Sequence, residues 1–287
     1  MRLKRSAPRV LMTAALVCLG GILGGCGSLE KTLVFPGAAS QGRPDAIIPP
    51  GGDYELIPLQ TADGTGIVAQ FGGSLGPGGE PAADSGHAPT VIFFYGNGAY
   101  AAQMAGEFSH FRRLGMNVLV PEYPGYGMSG GRPSERGCYA AADAAYDYLQ
   151  KRPGIDRDRI VAAGWSMGSA VAIDLASRRK VVALVTISAF TTLHDVAHAL
   201  EPWMPVSLII RSRFDSIGKI PSVTCPILIV HGMRDEIVPP DMARRLAAAR
   251  RSRVTTYPVV GGGHNDVFAV GDGDLWAAVG DFIETAR

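Results

Sequence analysis

Short apolar runs alternate with longer segments of helical spacing along most of the chain. Such runs are typical of strands buried on both faces, and the segments between them repeat their apolar residues as amphipathic helices do. Strands are predicted at Thr90–Phe94, Asn117–Val120, Arg159–Ala163, Val182–Ile187, Pro226–Val230 and Val254–Val260. Helices are predicted at Ala101–Leu114, Glu135–Lys151, Ser169–Ala176 and Asp274–Thr285. Strands alternating with helices predict the α/β class, with a mostly parallel sheet covered by helices on both faces.

Two stretches depart from this alternation. Tyr54–Leu59 and Gly66–Phe71 have the pattern of two antiparallel edge strands. Residues 190–222 interrupt the alternation, and we interpret them as a short lid on a domain that spans 51–287. The apolar residues of this lid either line an acyl pocket or pack as ordinary core, and the sequence leaves both possibilities open.

The sequence between the strand Arg159–Ala163 and the helix Ser169–Ala176 has the form G-x-S-x-G, with Ser166 at its centre. A strand, this pattern and a helix in succession form a sharp turn that exposes the serine hydroxyl at the edge of a sheet. Glycines flank the serine because side chains there would collide with the neighbouring strand and helix. A serine that merely belongs to a turn is the alternative, and the residues downstream weigh against it.

Two of those downstream residues can activate a serine. Asp235 follows the strand Pro226–Val230, and His264 follows the strand Val254–Val260. Each of the three residues follows a predicted strand and therefore lies at its carboxyl end, where sites of open α/β sheets gather. Along the chain they occur in the order Ser, Asp, His. His264 would take the serine proton and Asp235 would orient the imidazole. Glu236 and Asp266 are weaker candidates for the acid.

An oxyanion formed during such chemistry needs two N–H donors. Met167, directly after the serine, is one candidate, and the loop after Thr90–Phe94 offers Asn97 as the other. Glu122 also follows a strand, where it either reaches the rim of the pocket or, as we expect, holds the turn that follows it.

These motifs together resemble the α/β-hydrolase superfamily, and within it the serine hydrolases related to monoacylglycerol lipases and serine aminopeptidases. The resemblance spans about Tyr54 to Arg287 and includes the segments Tyr95–Asn97, Tyr123–Ser129 and His231–Pro239. It implies the α/β-hydrolase fold, with a mostly parallel central sheet and a short lid. Tyr95 stands where these enzymes usually have a histidine; that histidine is usually structural, so we expect catalysis to survive the change.

The first 25 residues have the features of an export signal. Arg2, Lys4, Arg5 and Arg9 precede an apolar stretch, Val10–Leu23, that is short for a transmembrane helix. The stretch ends in Leu-Gly-Gly-Cys, which resembles a bacterial lipobox. The resemblance implies that Cys26 carries lipid, with palmitate among the attached acyl groups. An ordinary signal peptide with an incidental Cys26 is the alternative. Residues 26–50 hold four prolines and little regular pattern, so we interpret them as a tether.

The lipobox resemblance also predicts a location and a partner. Gly27, rather than aspartate, follows the cysteine. The resemblance therefore implies a cell-envelope protein, anchored by lipid at the outer membrane and facing the periplasm. The membrane is then one partner, and a small-molecule or lipid-like acyl substrate is the other.

Composition narrows the remaining classes. Hydrophobic residues make up 47% and charged residues 18% of the 287, enough apolar content for one large domain. The net charge of +1 falls to −3 without the four cations of the leader, which weighs against nucleic-acid binding. Cys138 and Cys225 are expected to be unpaired and buried, with a disulfide between them as the alternative. No metal-ligand spacing or nucleotide-binding motif is present, so no cofactor is expected.

The sequence therefore predicts a serine hydrolase that cleaves carboxylic esters or thioesters through an acyl-enzyme on Ser166. A peptidase or amidase with the same three residues is the nearest alternative. A non-catalytic envelope lipoprotein that keeps the fold as a binding module is another, because fold alone does not fix function. The basic segment from Asp241 to Arg253 is either a solvated face or a contact for phospholipid head groups.

Overall fold

The computed structural model describes residues 26–203, 205–250 and 252–286, with side chains from residue 29 onward. The predicted signal peptide over residues 1–25 lies outside this part of the chain, and so does the side chain of Cys26.

One mixed sheet runs through the described chain. Its strands are β1 (Glu55–Gln60), β2 (Gly66–Gly72), β3 (Thr90–Phe94), β4 (Asn117–Pro121), β5 (Ile160–Trp165), β6 (Ala183–Ile187), β7 (Ile227–Gly232) and β8 (Val254–Val259). Their spatial order is β1-β2-β4-β3-β5-β6-β7-β8. β1 pairs with β2, and β2 with β4, in antiparallel fashion, and the other neighbours are parallel. The predicted fold class and the two antiparallel edge strands are confirmed.

Helices cover both faces of this sheet. They are α1 (Cys26–Val34), α2 (Ala105–Arg113), α3 (Glu135–Leu149), α4 (Met167–Arg178), α5 (Leu193–Leu200), α6 (Val206–Ile209), α7 (Ser216–Lys219), α8 (Pro240–Ala249) and α9 (Val267–Thr285). α2 packs with α9, whereas α3 packs with α4, and α7 contacts both α4 and α8. Every residue of β3 and β6 is buried, which explains their continuous apolar sequences.

The last helix is longer than its predicted span of Asp274–Thr285. α9 starts at Val267 and is broken at Asp272, whose backbone has φ 34° and ψ −132°. Gly271 and Gly273 flank this break, and glycine is a poor helix former. The glycines obscure the helical signal of the first half, which is why the sequence pattern predicts only the second.

The segment predicted as a tether differs most from expectation. Over residues 26–50 the chain forms α1 and two short 3₁₀ turns, Pro36–Ser40 and Pro44–Ala46. Its apolar side chains Val34, Phe35 and Ile48 are buried in the main core. The tether interpretation is wrong for this stretch, because its apolar side chains pack against the domain. They are too few and too scattered in sequence to show a period.

The segment predicted as a lid is folded, and the two cysteines are unpaired as expected. The described part of residues 190–222 forms the short helices α5, α6 and α7 and the 3₁₀ turn Ile220–Ser222. Cys138 and Cys225 are unpaired and buried. Burial raises the pKa of both thiols, that of Cys225 to about 11, so neither is a reactive thiolate near neutral pH.

Candidate active site

Ser166 lies on a strained turn between β5 and α4. Its backbone has φ 56° and ψ −121°, a conformation that non-glycine residues rarely adopt. The turn is tight enough to require its glycines. A Cβ on Gly164 would overlap the backbone of Gly168, and a Cβ on Gly168 would overlap the carbonyl of Phe94. The geometry holds the Ser166 hydroxyl at the carboxyl end of β5.

The structure brings Ser166, His264 and Asp235 into one hydrogen-bonded chain. Ser166 Oγ lies 2.9 Å from His264 Nε2, and His264 Nδ1 lies 2.7 Å from Asp235 Oδ2. All three side chains are buried. Asp235 follows β7 and His264 follows β8, so the residues meet at the same edge of the sheet, as predicted.

Asp235 is held from behind by its own loop. Its Oδ1 accepts hydrogen bonds from the backbone N–H groups of Ile237 at 3.0 Å and Val238 at 2.7 Å, leaving Oδ2 for His264. The alternative acids lie elsewhere: Glu236 is exposed, and Asp266 accepts from the N–H of Gly263. The structure therefore favours Asp235 as the partner of the imidazole.

His231 supports this acid loop. Its Nε2 lies 2.9 Å from the carbonyl oxygen of Val238 and 3.5 Å from Asp235 Oδ2. Burial lowers the pKa of His231, so the neutral ring is favoured beside the carboxylate loop. A neutral His231 that donates to Val238 ties the two ends of the loop together.

Two backbone N–H groups near Ser166 have no protein acceptor in the described chain. One belongs to Met167, the first residue of α4, and the N–H groups of the first helical turn have no carbonyl acceptor within their own helix. The other belongs to Asn97, in the loop after β3. Both residues line the same cavity as Ser166 and His264. These are the donors that an oxyanion would need.

The peptide of Asn97 is fixed on its other sides. Its carbonyl oxygen accepts from the N–H of Gly37 and from the hydroxyl of Tyr126, both at 3.0 Å. Its side-chain Nδ2 donates to the carbonyl of Val34 at 3.0 Å. Three contacts therefore orient the Asn97 N–H, and two of them come from the N-terminal segment.

Tyr95 and Glu122 form a buried brace beneath this loop. The Tyr95 hydroxyl donates to Glu122 Oε1 at 2.6 Å and accepts from the N–H of Tyr123 at 3.1 Å. The same Glu122 oxygen accepts from the N–H of Ala101 at 2.9 Å. Burial raises the pKa of the Glu122 carboxyl above its usual value. Glu122 holds the turn rather than reaching the pocket rim, as expected, and Tyr95 supports it from below.

A cavity of about 610 Å³ opens beside Ser166. Its lining is mainly apolar and includes the lid residues Phe190, Leu193, Val196, Leu200, Ile210 and Phe214. The lid residues both line the cavity and pack as core, since Val196 and Phe214 are buried core residues that also face the cavity. In the described chain, no group of three His, Cys, Asp or Glu side chains could hold a metal ion.

Sequence reasoning missed the N-terminal wall of this cavity. Leu33 and Val34 line it, and Val34 also accepts the hydrogen bond from Asn97. The sequence signal that could have found this wall is the short apolar stretch Val34–Pro36. Trp165 was also missed; its indole N–H donates to the carbonyl of His264 at 3.3 Å.

Comparisons with known proteins agree with this architecture. A family model described as alpha/beta hydrolase fold matches residues 89–209. The uncharacterized protein Rv2307c of Mycobacterium tuberculosis is 35% identical over 93% of this chain and 91% of its own length. The alpha/beta hydrolase domain-containing protein WAV2 of Arabidopsis thaliana is 32% identical over 80% of this chain and 79% of its own length.

Among solved structures, the Pyrococcus furiosus esterase Pf2001 superposes with a TM-score of 0.67 at 18% identity, over 84% of this chain and 95% of that one. At this identity the likeness concerns the fold alone. The sequence relatives carry the assignment further, because they match the chain over most of its length. The chain belongs to the α/β-hydrolase family.

Proposed function

We propose that this protein is a serine hydrolase that cleaves carboxylic esters or thioesters through an acyl-enzyme on Ser166. The observation that carries the proposal is the continuous hydrogen-bonded chain from Ser166 Oγ through His264 to Asp235, at 2.9 and 2.7 Å. Both distances lie within the range in which a base can accept a proton from a nucleophile.

The proposed reaction has two halves. Ser166 Oγ attacks the acyl carbon while His264 Nε2 takes its proton, and the N–H groups of Asn97 and Met167 stabilise the oxyanion. His264 then gives that proton to the leaving alcohol or thiol as the bond to the acyl carbon breaks. Water attacks the acyl-enzyme with His264 as base, and the carboxylic acid leaves as Ser166 regains its proton.

The cavity supports an apolar acyl group as the substrate. Most of its lining side chains are apolar. Apart from the reacting residues, the main polar ones are the carboxylate of Glu201 and the amides of Asn97, Gln103 and Asn265. A peptide substrate would need more donors and acceptors for its own backbone, so the lining favours an ester or thioester over an amide. We also propose, from the motifs, that within its family the protein is closely related to monoacylglycerol lipases.

A direct test measures hydrolysis of nitrophenyl esters and acyl thioesters of graded chain length. The wild type is expected to turn over several of these, and Ser166→Ala is expected to lose at least three orders of magnitude in kcat while keeping its thermal unfolding curve. Ser177→Ala is a matched control, because Ser177 lies on the same helix α4 and its hydroxyl donates only to Asp174 O. Turnover retained in Ser166→Ala would contradict the proposal.

We further propose that the protein is anchored in the cell envelope, at the outer membrane, by lipid on Cys26. The leader with its four cations, its short apolar stretch and the Leu-Gly-Gly-Cys sequence supports this. The described chain contains no helix that is long and apolar enough to cross a membrane. Cys26→Ser is expected to abolish incorporation of labelled palmitate and to move the protein out of the membrane fraction; unchanged labelling would rule out Cys26 as the lipidated residue.

A further inference from the structure

Large apolar side chains are exposed around the mouth of the cavity. We call them the apolar rim: Leu33, Leu200, Trp203, Leu208 and Ile237. Leu33, Leu200 and Ile237 line the cavity itself. Trp203 and Leu208, on the lid, are 75% and 77% exposed. Helix α6, which carries Leu208, contacts α1 and α5, which carry Leu33 and Leu200. Large exposed apolar side chains on contacting elements indicate a surface that something covers.

A basic groove of about 450 Å³ lies next to the rim. Lys31, Arg136 and Arg211 line it, and none of these three makes an ion pair with a residue of the described chain. Its two carboxylates, Glu30 and Glu135, are fewer than the cations. The groove therefore leaves cationic groups available for an anion.

Both carboxylates of the groove accept hydrogen bonds from backbone N–H groups of the lid. Glu30 Oε1 accepts from the N–H groups of Arg211 and Ser212 at 3.1 and 2.7 Å. Glu135 accepts from those of Arg213 and Phe214 at 2.6 and 2.9 Å. These bonds direct the negative charge toward the protein and join α1 and α3 to the lid.

Helix α1 connects the groove with the rim. Its residues Glu30 and Lys31 line the groove, whereas Leu33 and Val34 line the cavity. α1 begins at Cys26, and a nine-residue helix is only about 14 Å long. In the proposed mature protein the leader over residues 1–25 is removed and the lipid is attached to Cys26, so the anchor joins the domain close to the cavity mouth. The anchor therefore brings the rim to the membrane surface.

We propose that the apolar rim and the basic groove form one docking face for a lipid bilayer that contains anionic head groups. Trp203 and Leu208 insert among the head groups and upper acyl chains, where amphipathic aromatic side chains are favoured. Lys31, Arg136 and Arg211 contact lipid phosphates. The cavity then opens toward the bilayer, so an acyl substrate can enter it without crossing water. The docking stands without catalysis; it rests on the proposed lipid anchor, and only this last step rests on the proposed hydrolase reaction.

The basic helix that the sequence offered for head groups is less suited to this role. Arg244 of α8 pairs with Asp241 of the same helix at 3.2 Å, and Arg245 lies 3.4 Å from Asp195 of the lid. Both guanidinium groups already have carboxylate partners, whereas Arg250 and Arg253 at the end of the segment Asp241–Arg253 are in neither pair. The face at α1 and the lid combines cations left unpaired in the described chain with an apolar rim at the cavity, so it is the better candidate.

The first test uses fluorescence quenching by lipids that carry brominated acyl chains. Full-length protein with Ser166→Ala, which cannot consume lipid, is reconstituted into vesicles of phosphatidylcholine with phosphatidylglycerol. Quenching is expected to fall by at least half in Trp203→Phe and to stay unchanged in Trp276→Phe, because Trp276 is buried between helices. Equal quenching with and without Trp203 would show that the rim does not reach the bilayer and would overturn the proposal.

The second test separates docking from the reaction. Leu208→Glu is expected to lower hydrolysis of an ester dispersed in vesicles at least fivefold, with no change for a short soluble ester, since Leu208 lies outside the cavity lining. Val260→Glu, at a side chain of similar exposure after β8, is expected to change neither rate. Equal loss on both substrates, or no loss on vesicles, would overturn the proposal. If the wild type hydrolyses nothing, the proposed function fails and the quenching test still decides the docking.

The third test concerns the groove and the other possible occupants. Lys31→Gln with Arg211→Gln is expected to reduce Trp203 quenching on vesicles with phosphatidylglycerol, and to have little effect on phosphatidylcholine alone. Binding of inorganic phosphate by calorimetry without any response to phosphatidylglycerol would assign the groove to a soluble anion and overturn the proposal. A dimer in light scattering that Leu208→Glu dissolves would show that a second copy covers the rim, which would overturn it too.

Discussion

The side chain of Asn97 donates a hydrogen bond to the carbonyl of Val34 across 3.0 Å. Asn97 offers one of the proposed oxyanion donors, and Val34 ends the first helix of the described chain. The contact therefore makes the N-terminal segment part of the proposed active site. Removal of this segment is expected to affect the reaction as well as the attachment of the protein.

Replacement of Asn97 by alanine tests this contact. Asn97→Ala keeps the backbone N–H but removes its anchor on Val34, and one hydrogen bond contributes about 1 kcal/mol. We expect kcat to fall about five- to tenfold, with a smaller change in KM. Steady-state kinetics on a soluble ester measures the split, and an unchanged kcat would mean that Val34 does not help to position the loop.

Replacement of Gly37 by alanine tests the same interface from the other side. A Cβ on Gly37 would come within 2.8 Å of Asn97 O and would also meet the ring of Tyr126. Overpacking of this kind costs about 1–3 kcal/mol, so we expect both the free energy of unfolding and kcat to fall. Gly106→Ala, in open space on α2, is the control that should retain both. Similar behaviour of the two variants in urea unfolding would contradict the packing described here.

Replacement of Asp235 by asparagine tests the orientation of the imidazole. In Asp235→Asn, the amide oxygen would stay toward the N–H groups of Ile237 and Val238, and the amide NH₂ would face His264 Nδ1. The imidazole would then carry its proton on Nε2 and could not accept one from Ser166. We expect kcat to fall about 10³- to 10⁴-fold with little loss of stability. A loss below tenfold would assign the acid elsewhere.

Replacement of Tyr95 by phenylalanine tests the buried brace. The variant removes a donor to Glu122 and leaves the N–H of Tyr123 without its acceptor, at a cost of about 1–3 kcal/mol. It also removes a contact that lowers the pKa of Glu122, so burial will raise this pKa further.

The pH dependence of that variant follows from the sign of the shift. A carboxyl whose pKa is raised in the folded state binds its proton more tightly there than in the unfolded chain. Its contribution to stability is complete below about pH 4.5 and is lost as the pH rises through the folded pKa. In urea unfolding between pH 4 and 8, the deficit of Tyr95→Phe should therefore grow as the pH rises. A deficit that is constant over this range would contradict the assigned role of Glu122.

Replacement of Val196 by tryptophan tests the acyl cavity. Val196 is a buried residue of α5 that lines the cavity, so a larger side chain would shorten the space for an acyl chain. We expect the ratio of kcat/KM between a ten-carbon and a two-carbon ester to fall at least tenfold. An unchanged ratio would mean that the acyl chain binds elsewhere.

The central sheet and the candidate site were predictable because both depend on short-range signals. β3, β5, β6 and β7 are buried on both faces and therefore appear as continuous apolar runs. Ser166 and Asp235 follow such runs, whereas His264 follows β8, an edge strand that is only partly buried and was predicted from its β-branched residues. Parallel strands bring their carboxyl ends to one edge. Three local patterns therefore sufficed to place residues that lie far apart in sequence.

The N-terminal segment was not predictable by the same means. Val34 and Phe35 are buried by long-range contacts, and a 3₁₀ turn rich in proline and small residues has no apolar period to detect. The break at Asp272 is a similar case, since two glycines obscure a helix that packing against the domain maintains. In both regions tertiary contacts outweigh local propensity.

Labelling by a fluorophosphonate, which reacts with activated serines, tests directly whether Ser166 is an activated nucleophile; mass spectrometry of the digested protein locates the adduct. We predict a single adduct on Ser166 in the wild type and in Ser177→Ala, and no adduct in Ser166→Ala. In His264→Ala the adduct should form at a much reduced rate. An adduct on another serine, or no adduct on folded wild-type protein, would contradict the proposal that Ser166 is an activated nucleophile.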